Sequence, residues 1–200
     1  MSALPKTLLE IAGAPRHPSP LAASALILID PQTEYVSGGV PLEGIAAAVL
    51  EAHALLALAR RNGVPVFHVV HHGRPGGALF DPAGPGAAII PELAPLAGEA
   101  VVIKNLPNAF AGTDLHRQLQ AAGRSELIVA GFATHMCVSA TVRAALDLGY
   151  RTTVVANAVA TRDLPDPLGG IVPAATLHRA ELAALADRFA VVVPGASAWT

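Results

Sequence analysis

Cysteine is nearly absent from this 200-residue chain, which holds one, Cys137. A single cysteine excludes an internal disulfide and fits a reducing cytoplasm, the compartment expected on this ground. Charge is also scarce, at 14% of residues with a net of −2 and no basic run. Aromatic residues make up only 4%. This balance gives no support to a nucleic-acid partner. No apolar run approaches the roughly twenty residues of a membrane span, so no membrane partner is expected. Met1 to Pro20 contains Pro5, Pro15, Pro18 and Pro20 and no apolar segment of signal-peptide type. It reads as an extended arm, residues 1–22, before a single domain over 23–200, which no internal repeat or interior linker divides. Apolar residues are plentiful, at 52%, enough for a compact chain with a substantial core.

Short apolar runs alternate with helical patterns. Ala25–Ile29 is unbroken apolar sequence ended by Asp30-Pro31. Ile45, Val49, Ala52 and Leu56 share one helical face over residues 45–61, and Asn62-Gly63 stops that helix. Further strands are predicted at 64–70, 100–103, 127–130, 152–156 and 190–193. Further helices are predicted from Thr113-Asp114 to Gly123, from about Thr134 to Gly149, and from Pro173 to about Arg188. Continuous apolar strands separated by helices imply a mostly parallel α/β sheet covered on both faces. The exception is residues 71–95, a long stretch rich in glycine and proline. Loops of that length inside a compact domain are usually functional.

In such a sheet, ligands bind beyond the carboxyl ends of the strands. Three ionisable residues fall there: Asp30 after the first strand, Lys104 after the third and Cys137 after the fourth. Each has a plain alternative, as a turn former, a solvated ammonium or a small buried apolar residue. Together they make a working set. A carboxylate takes the thiol proton, an ammonium favours both anions, and the thiolate attacks a carbonyl to form an acyl-enzyme. The position of Cys137 in the first turn of a helix predicts free N–H groups and a dipole that favour the thiolate.

The sequence around these residues resembles the isochorismatase-like cysteine hydrolases. The first-strand motif is Ala25–Tyr35, with Asp30 and Gln32. The lysine segment is Val102–Asn105, and Gly112–Leu115 follows it. The nucleophile motif runs from Val129 through Cys137 to Tyr150, and residues 153–161 also fit. The resemblance spans about residues 24–193. It implies a three-layer α/β/α sandwich with a six-stranded sheet in the order 3-2-1-4-5-6. It also implies a catalytic triad of Asp30, Lys104 and Cys137, and a cis peptide between Phe132 and Ala133. The backbone N–H groups of Ala133 and Cys137 would form an oxyanion hole, in which one donor is typically worth about 3 kcal/mol. A homodimer or larger homo-oligomer is implied as well.

Family members that act on nicotinamide hold a metal with an Asp and two His. The matching stretch here, Phe67–Gly73, carries His68, His71 and His72 without a paired Asp, so no metal or cofactor is expected. His71 and His72 are adjacent and cannot both face one way on a strand. One of them is expected to line the substrate pocket, with Gln32, Tyr35, Phe110 and Thr134. Thr134 can also cap the Cys137 helix. His135 is assigned an orienting or solvent role, and Arg143 a structural ion pair or interface contact. His17, His53, His116 and His178 are read as solvent-facing. The eponymous isochorismatases lack the cysteine, and the wording around Cys137 looks closest to a branch that includes streptothricin hydrolase. The function implied is hydrolysis of the C–N bond of a small carboxamide or lactam through a thioester. The alternatives are a vinyl-ether or ester hydrolase that uses Asp30 without Cys137, and a non-catalytic small-molecule-binding or assembly module.

Overall fold

The computed structural model describes residues 4–200. Its centre is strand β1, Ser24–Ile29, in which every residue is buried. β1 pairs in parallel with β2 (Val66–His71) on one side and β4 (Glu126–Phe132) on the other. β3 (Ala100–Lys104) extends the sheet beyond β2, and β5 (Arg151–Ala160) and β8 (Val191–Val193) extend it beyond β4. The order β3-β2-β1-β4-β5-β8 is the one the resemblance implies. The two-residue strands β6 (Leu164–Pro165) and β7 (Ile171–Val172) form a separate hairpin that the sequence pattern does not reveal.

Alternate residues of each strand serve opposite faces. Leu26, Leu28, Ile128 and Ala130 meet α2 (Ile45–Arg61) through Ala52, Leu55, Leu56 and Ala59. Ala25, Ile27, Ile29, Leu127 and Val129 form the other layer of core. That layer includes Leu115 and Leu119 of α3 (Leu115–Ala121), Val142 and Ala145 of α4 (Ser139–Asp147) and Leu185 of α5 (Ala174–Arg188). The two-sided burial is why β1 and β4 read as unbroken apolar runs. β3 is an edge strand and alternates: Val102 is buried, while Val101 and Ile103 are about half exposed. The arm is not wholly extended. Thr7 caps a single turn, α1 (Leu8–Ile11), through a capping box with Glu10, and Leu8 N–H donates to Asp187 of α5 at 2.8 Å. No helix among the described residues is long and apolar enough to cross a membrane.

One polar cluster ties the start of β3 to the rest. The Glu99 carboxylate accepts from Arg60 Nε and Nη2, both at 2.8 Å, and from Leu96 N–H at 2.8 Å, and it lies 2.9 Å from His68 Nε2. It thereby joins the end of α2, the loop before β3, and β2. The Arg60 guanidinium, ahead of the smaller contributions, holds the Glu99 carboxyl down to about 2. A lowered carboxyl stabilises the fold above its ordinary value of 4.5 and loses that contribution as pH falls towards 2. Glu99→Gln should therefore lower unfolding stability at pH 7 by about 2 kcal/mol. In urea titrations at falling pH, the wild type should approach the variant between pH 4.5 and about 2; parallel curves would contradict this.

Candidate active site

The strand order reverses between β1 and β4, which opens a crevice at their carboxyl ends. Asp30 is the first residue past β1. It adopts a left-handed backbone (φ 47°), which Asp tolerates better than most residues, and its N–H donates to Val69 at 2.8 Å. Across the crevice, Gly131 of β4 has φ +112°, and a Cβ there would stand 2.0 Å from the Ile29 carbonyl. Only glycine lets β4 approach the end of β1 this closely. The next peptide, Phe132–Ala133, is cis. The chain then enters a π-helical turn, Thr134–Val138, that carries Cys137 and leads into α4. Lys104 ends β3, two strands away from β1. Its side chain must pass the end of β2, where His71 stands in register with it.

That long side chain brings the cluster together. Lys104 Nζ lies 2.8 Å from Asp30 Oδ2, 3.3 Å from Cys137 Sγ and 3.2 Å from His71 Nδ1. The Lys104 and Asp30 side chains are fully buried, and Cys137 is 3% exposed. Asp30 Oδ1 is buried without a hydrogen-bond partner, so half of the carboxylate remains open to accept a proton. Burial pushes the Asp30 carboxyl above its ordinary range, opposed by the Lys104 ammonium and then by the thiol. Burial, and then the Asp30 charge, push the Cys137 thiol up to about 12, again opposed by Lys104. The helix-start expectation of a favoured thiolate is thus corrected. A helix terminus is worth about 0.3–1 kcal/mol, whereas burial alone moves a thiol by several pH units. The sulphur thus rests as a thiol, with the Lys104 ammonium touching both it and Asp30.

The remaining predicted residues divide. Gln32 is fully buried, and its side-chain amide is engaged by backbone groups. Its Oε1 accepts from His71 N–H at 2.8 Å, and its Nε2 donates to the carbonyls of His71 and Ala87, both at 2.9 Å. Tyr35 is buried with its ring edge-on to Phe80 and Phe132, and burial first, then the Cys137 and Asp30 charges, push its phenol above its ordinary value. His71 faces the cluster. His72 is pinned through its backbone to Lys104 and Asn105. Phe110 stacks on Tyr150 at 5.9 Å. Ala133 N–H donates to no backbone or side-chain acceptor among the described residues. Thr134 does not cap the helix: Ala133 is its N-cap residue, and the Thr134 hydroxyl lies 3.0 Å from His178 Nδ1. His178, like His116, which bonds the Tyr150 hydroxyl at 2.9 Å, is half-buried and partnered where the sequence reads as solvent-facing. His135 is bonded to Thr161. Arg143 pairs with Glu181 at 3.1 Å, and its guanidinium lies over the Phe189 ring.

One residue near the site was missed by sequence reasoning. Glu34 is buried and accepts from the N–H groups of Gly39 and of Phe80, the latter at 3.1 Å. A Cβ at Gly86 would displace its carboxylate, standing 2.0 Å from Oε2. Glu34 thereby holds the long loop after β2 against the segment after β1. Its only sequence signal is a carboxylate four residues beyond Asp30, matched by glycines far along the chain. No group of three or more His, Cys, Asp or Glu side chains is placed to hold a metal ion among the described residues.

The comparisons with known proteins agree with this architecture. A family model described as the Isochorismatase domain matches residues 24–197. The crystal structure of an isochorismatase from Pseudomonas putida KT2440 superposes with a TM-score of 0.92 at 48% identity, covering 97% of this chain and 99% of that one. Streptothricin hydrolase from Streptomyces noursei is 39% identical over 170 residues, 84% of this chain and 61% of that protein. Maleamate amidohydrolase from Pseudomonas putida is 36% identical over 154 residues, 69% of this chain and 72% of that protein. The chain belongs to the isochorismatase family.

Proposed function

We propose that the protein is a cysteine-dependent hydrolase that cleaves the C–N bond of a small carboxamide or lactam through a thioester acyl-enzyme. The observation that carries this reading is the buried cluster in which Lys104 Nζ touches both Asp30 Oδ2 and Cys137 Sγ while Asp30 Oδ1 stays unpartnered. The amidohydrolases among the relatives support the reaction class. Asp30 takes the thiol proton, and the sulphur attacks the carbonyl carbon. The oxyanion so formed is held by the N–H groups of Ala133 and Cys137. As the C–N bond breaks, Asp30 returns the proton to the leaving nitrogen. Asp30 then removes a proton from water, whose oxygen attacks the thioester, and the acid leaves as the thiol is restored. A raised Asp30 suits this work, because a base of higher pKa is a better partner for a thiol whose own pKa is high. Throughout, Lys104 keeps a positive charge beside whichever of the two groups is anionic.

The description of the Pseudomonas putida relative as an isochorismatase favours a second reading, in which Asp30 acts on a vinyl ether or ester without Cys137. The two differ in one intermediate. With an amide substrate identified by screening for ammonia or amine release, Cys137→Ser should lose on the order of 10³-fold or more in kcat/KM. Mass spectrometry of the quenched wild type should find the acyl adduct on Cys137. Full activity in the variant, or after thiol alkylation, selects the second reading.

The pH profile tests the base. Because Asp30 is raised, its basic form is lost as pH falls through a value above the ordinary 3.8. The acid limb of kcat/KM should lie above that value. In Lys104→Met, which removes the main opposing charge, the limb should move further up. The same variant should unfold about 3–5 kcal/mol more easily, as expected when one partner of a buried pair is removed. An acid limb unmoved by Lys104→Met removes Asp30 from the role of base.

A further inference from the structure

We propose that His71 is a positioning residue that fixes the Lys104 ammonium between Asp30 and Cys137 by accepting its third N–H. An ammonium has three protons and no acceptor. Lys104 is 1% exposed, so water cannot supply partners, and each proton needs an acceptor in the protein. Three lie within reach of Nζ: Asp30 Oδ2 at 2.8 Å, His71 Nδ1 at 3.2 Å and Cys137 Sγ at 3.3 Å. Asp30 and Cys137 exchange a proton during the proposed reaction, so their hold on the ammonium varies. The His71 contact is the constant one.

His71 is built for that duty. Gln32 clamps its backbone N–H and carbonyl at 2.8 and 2.9 Å. Its ring meets Phe80 edge-on at 5.2 Å, and Phe80 N–H is in turn held by Glu34. Gln32 thus fixes the His71 backbone, and Glu34 fixes the backbone of the residue whose ring packs on the imidazole. To accept from an ammonium the ring must be neutral at Nδ1, with its proton on Nε2. Burial first, then the Lys104 ammonium and His72, hold His71 down to about 4, so it stays neutral at ordinary pH. The charged and titratable groups around this contact are Lys104, Asp30, Cys137 and His72, with Tyr35 beside the thiol. This role is distinct from lining a substrate pocket, although it deepens the reading of Cys137 as nucleophile and rests on it for its catalytic meaning.

The test uses the single thiol as its own reporter and needs no substrate. Iodoacetamide alkylation of the full chain, followed by intact mass at fixed pH, reports thiolate formation at Cys137. His71→Leu removes the acceptor, and the rate should fall about tenfold, the change for one pH unit in the thiol. His71→Asn places an amide oxygen where Nδ1 stood and should restore most of the rate, whereas His71→Gln should not. In a Lys104→Met background His71→Leu should have no further effect, because His71 acts through Lys104. An equal effect in both backgrounds, or wild-type rates in folded His71→Leu, overturns the proposal. If the leucine variant does not fold, the asparagine variant decides: a rate near wild type supports the proposal, and a tenfold loss overturns it. A fully active Cys137→Ser would instead remove the proposed reaction and leave this coupling standing.

Discussion

The site depends on a lysine ammonium that has no water to turn to. Taking a charge out of water costs several kcal/mol, and the cost is met only where acceptors surround it closely. Lys104 meets that condition by reaching from one strand across a second to a third, so sheet register decides whether the cluster exists at all. The glycine at position 131, the left-handed turn at Asp30 and the π-helical turn at Cys137 all serve the same end. They bring three backbones close enough for one side chain to touch all three acceptors.

Much of this was legible in the sequence because burial writes itself into composition. β1 and β4 are covered on both faces and so read as unbroken apolar runs. Asp30, Lys104 and Cys137 then stand out as ionisable residues at the ends of such runs. β5 was read too short, because its register against β4 slips between Val129 and Gly131 and the strand continues to Ala160. The β6–β7 hairpin left no pattern at all, being two residues on each side.

What stayed hidden was partnership across distance. Gln32 looked like a substrate contact because it follows Asp30, yet its amide is spent on the backbone of His71 and Ala87. The burial of Glu34 stayed hidden because it depends on the Phe80 N–H and on room left by Gly86, both far along the chain. His178 and Thr134 form a pair that only the docking of α5 creates. The sign of the thiol shift was missed for a related reason. A sequence shows a helix start, but it does not show how completely the crevice buries the thiol.

The cation of the cluster hangs on an edge strand of the sheet, one of the two that have a neighbour on one side only. β3 is bound on one side only, and Val101 and Ile103 stand out from it half exposed. Edge strands are where sheets fray first, and local opening there costs less than global unfolding. Each such opening would carry Lys104 away from the sulphur while the remaining strands stay paired. The Glu99–Arg60 clasp at the other end of the strand, though remote from the cluster, thereby helps to keep Lys104 seated. For the proposed reaction, the fraction of time that β3 is seated would set a ceiling on the fraction of molecules in which all three side chains meet.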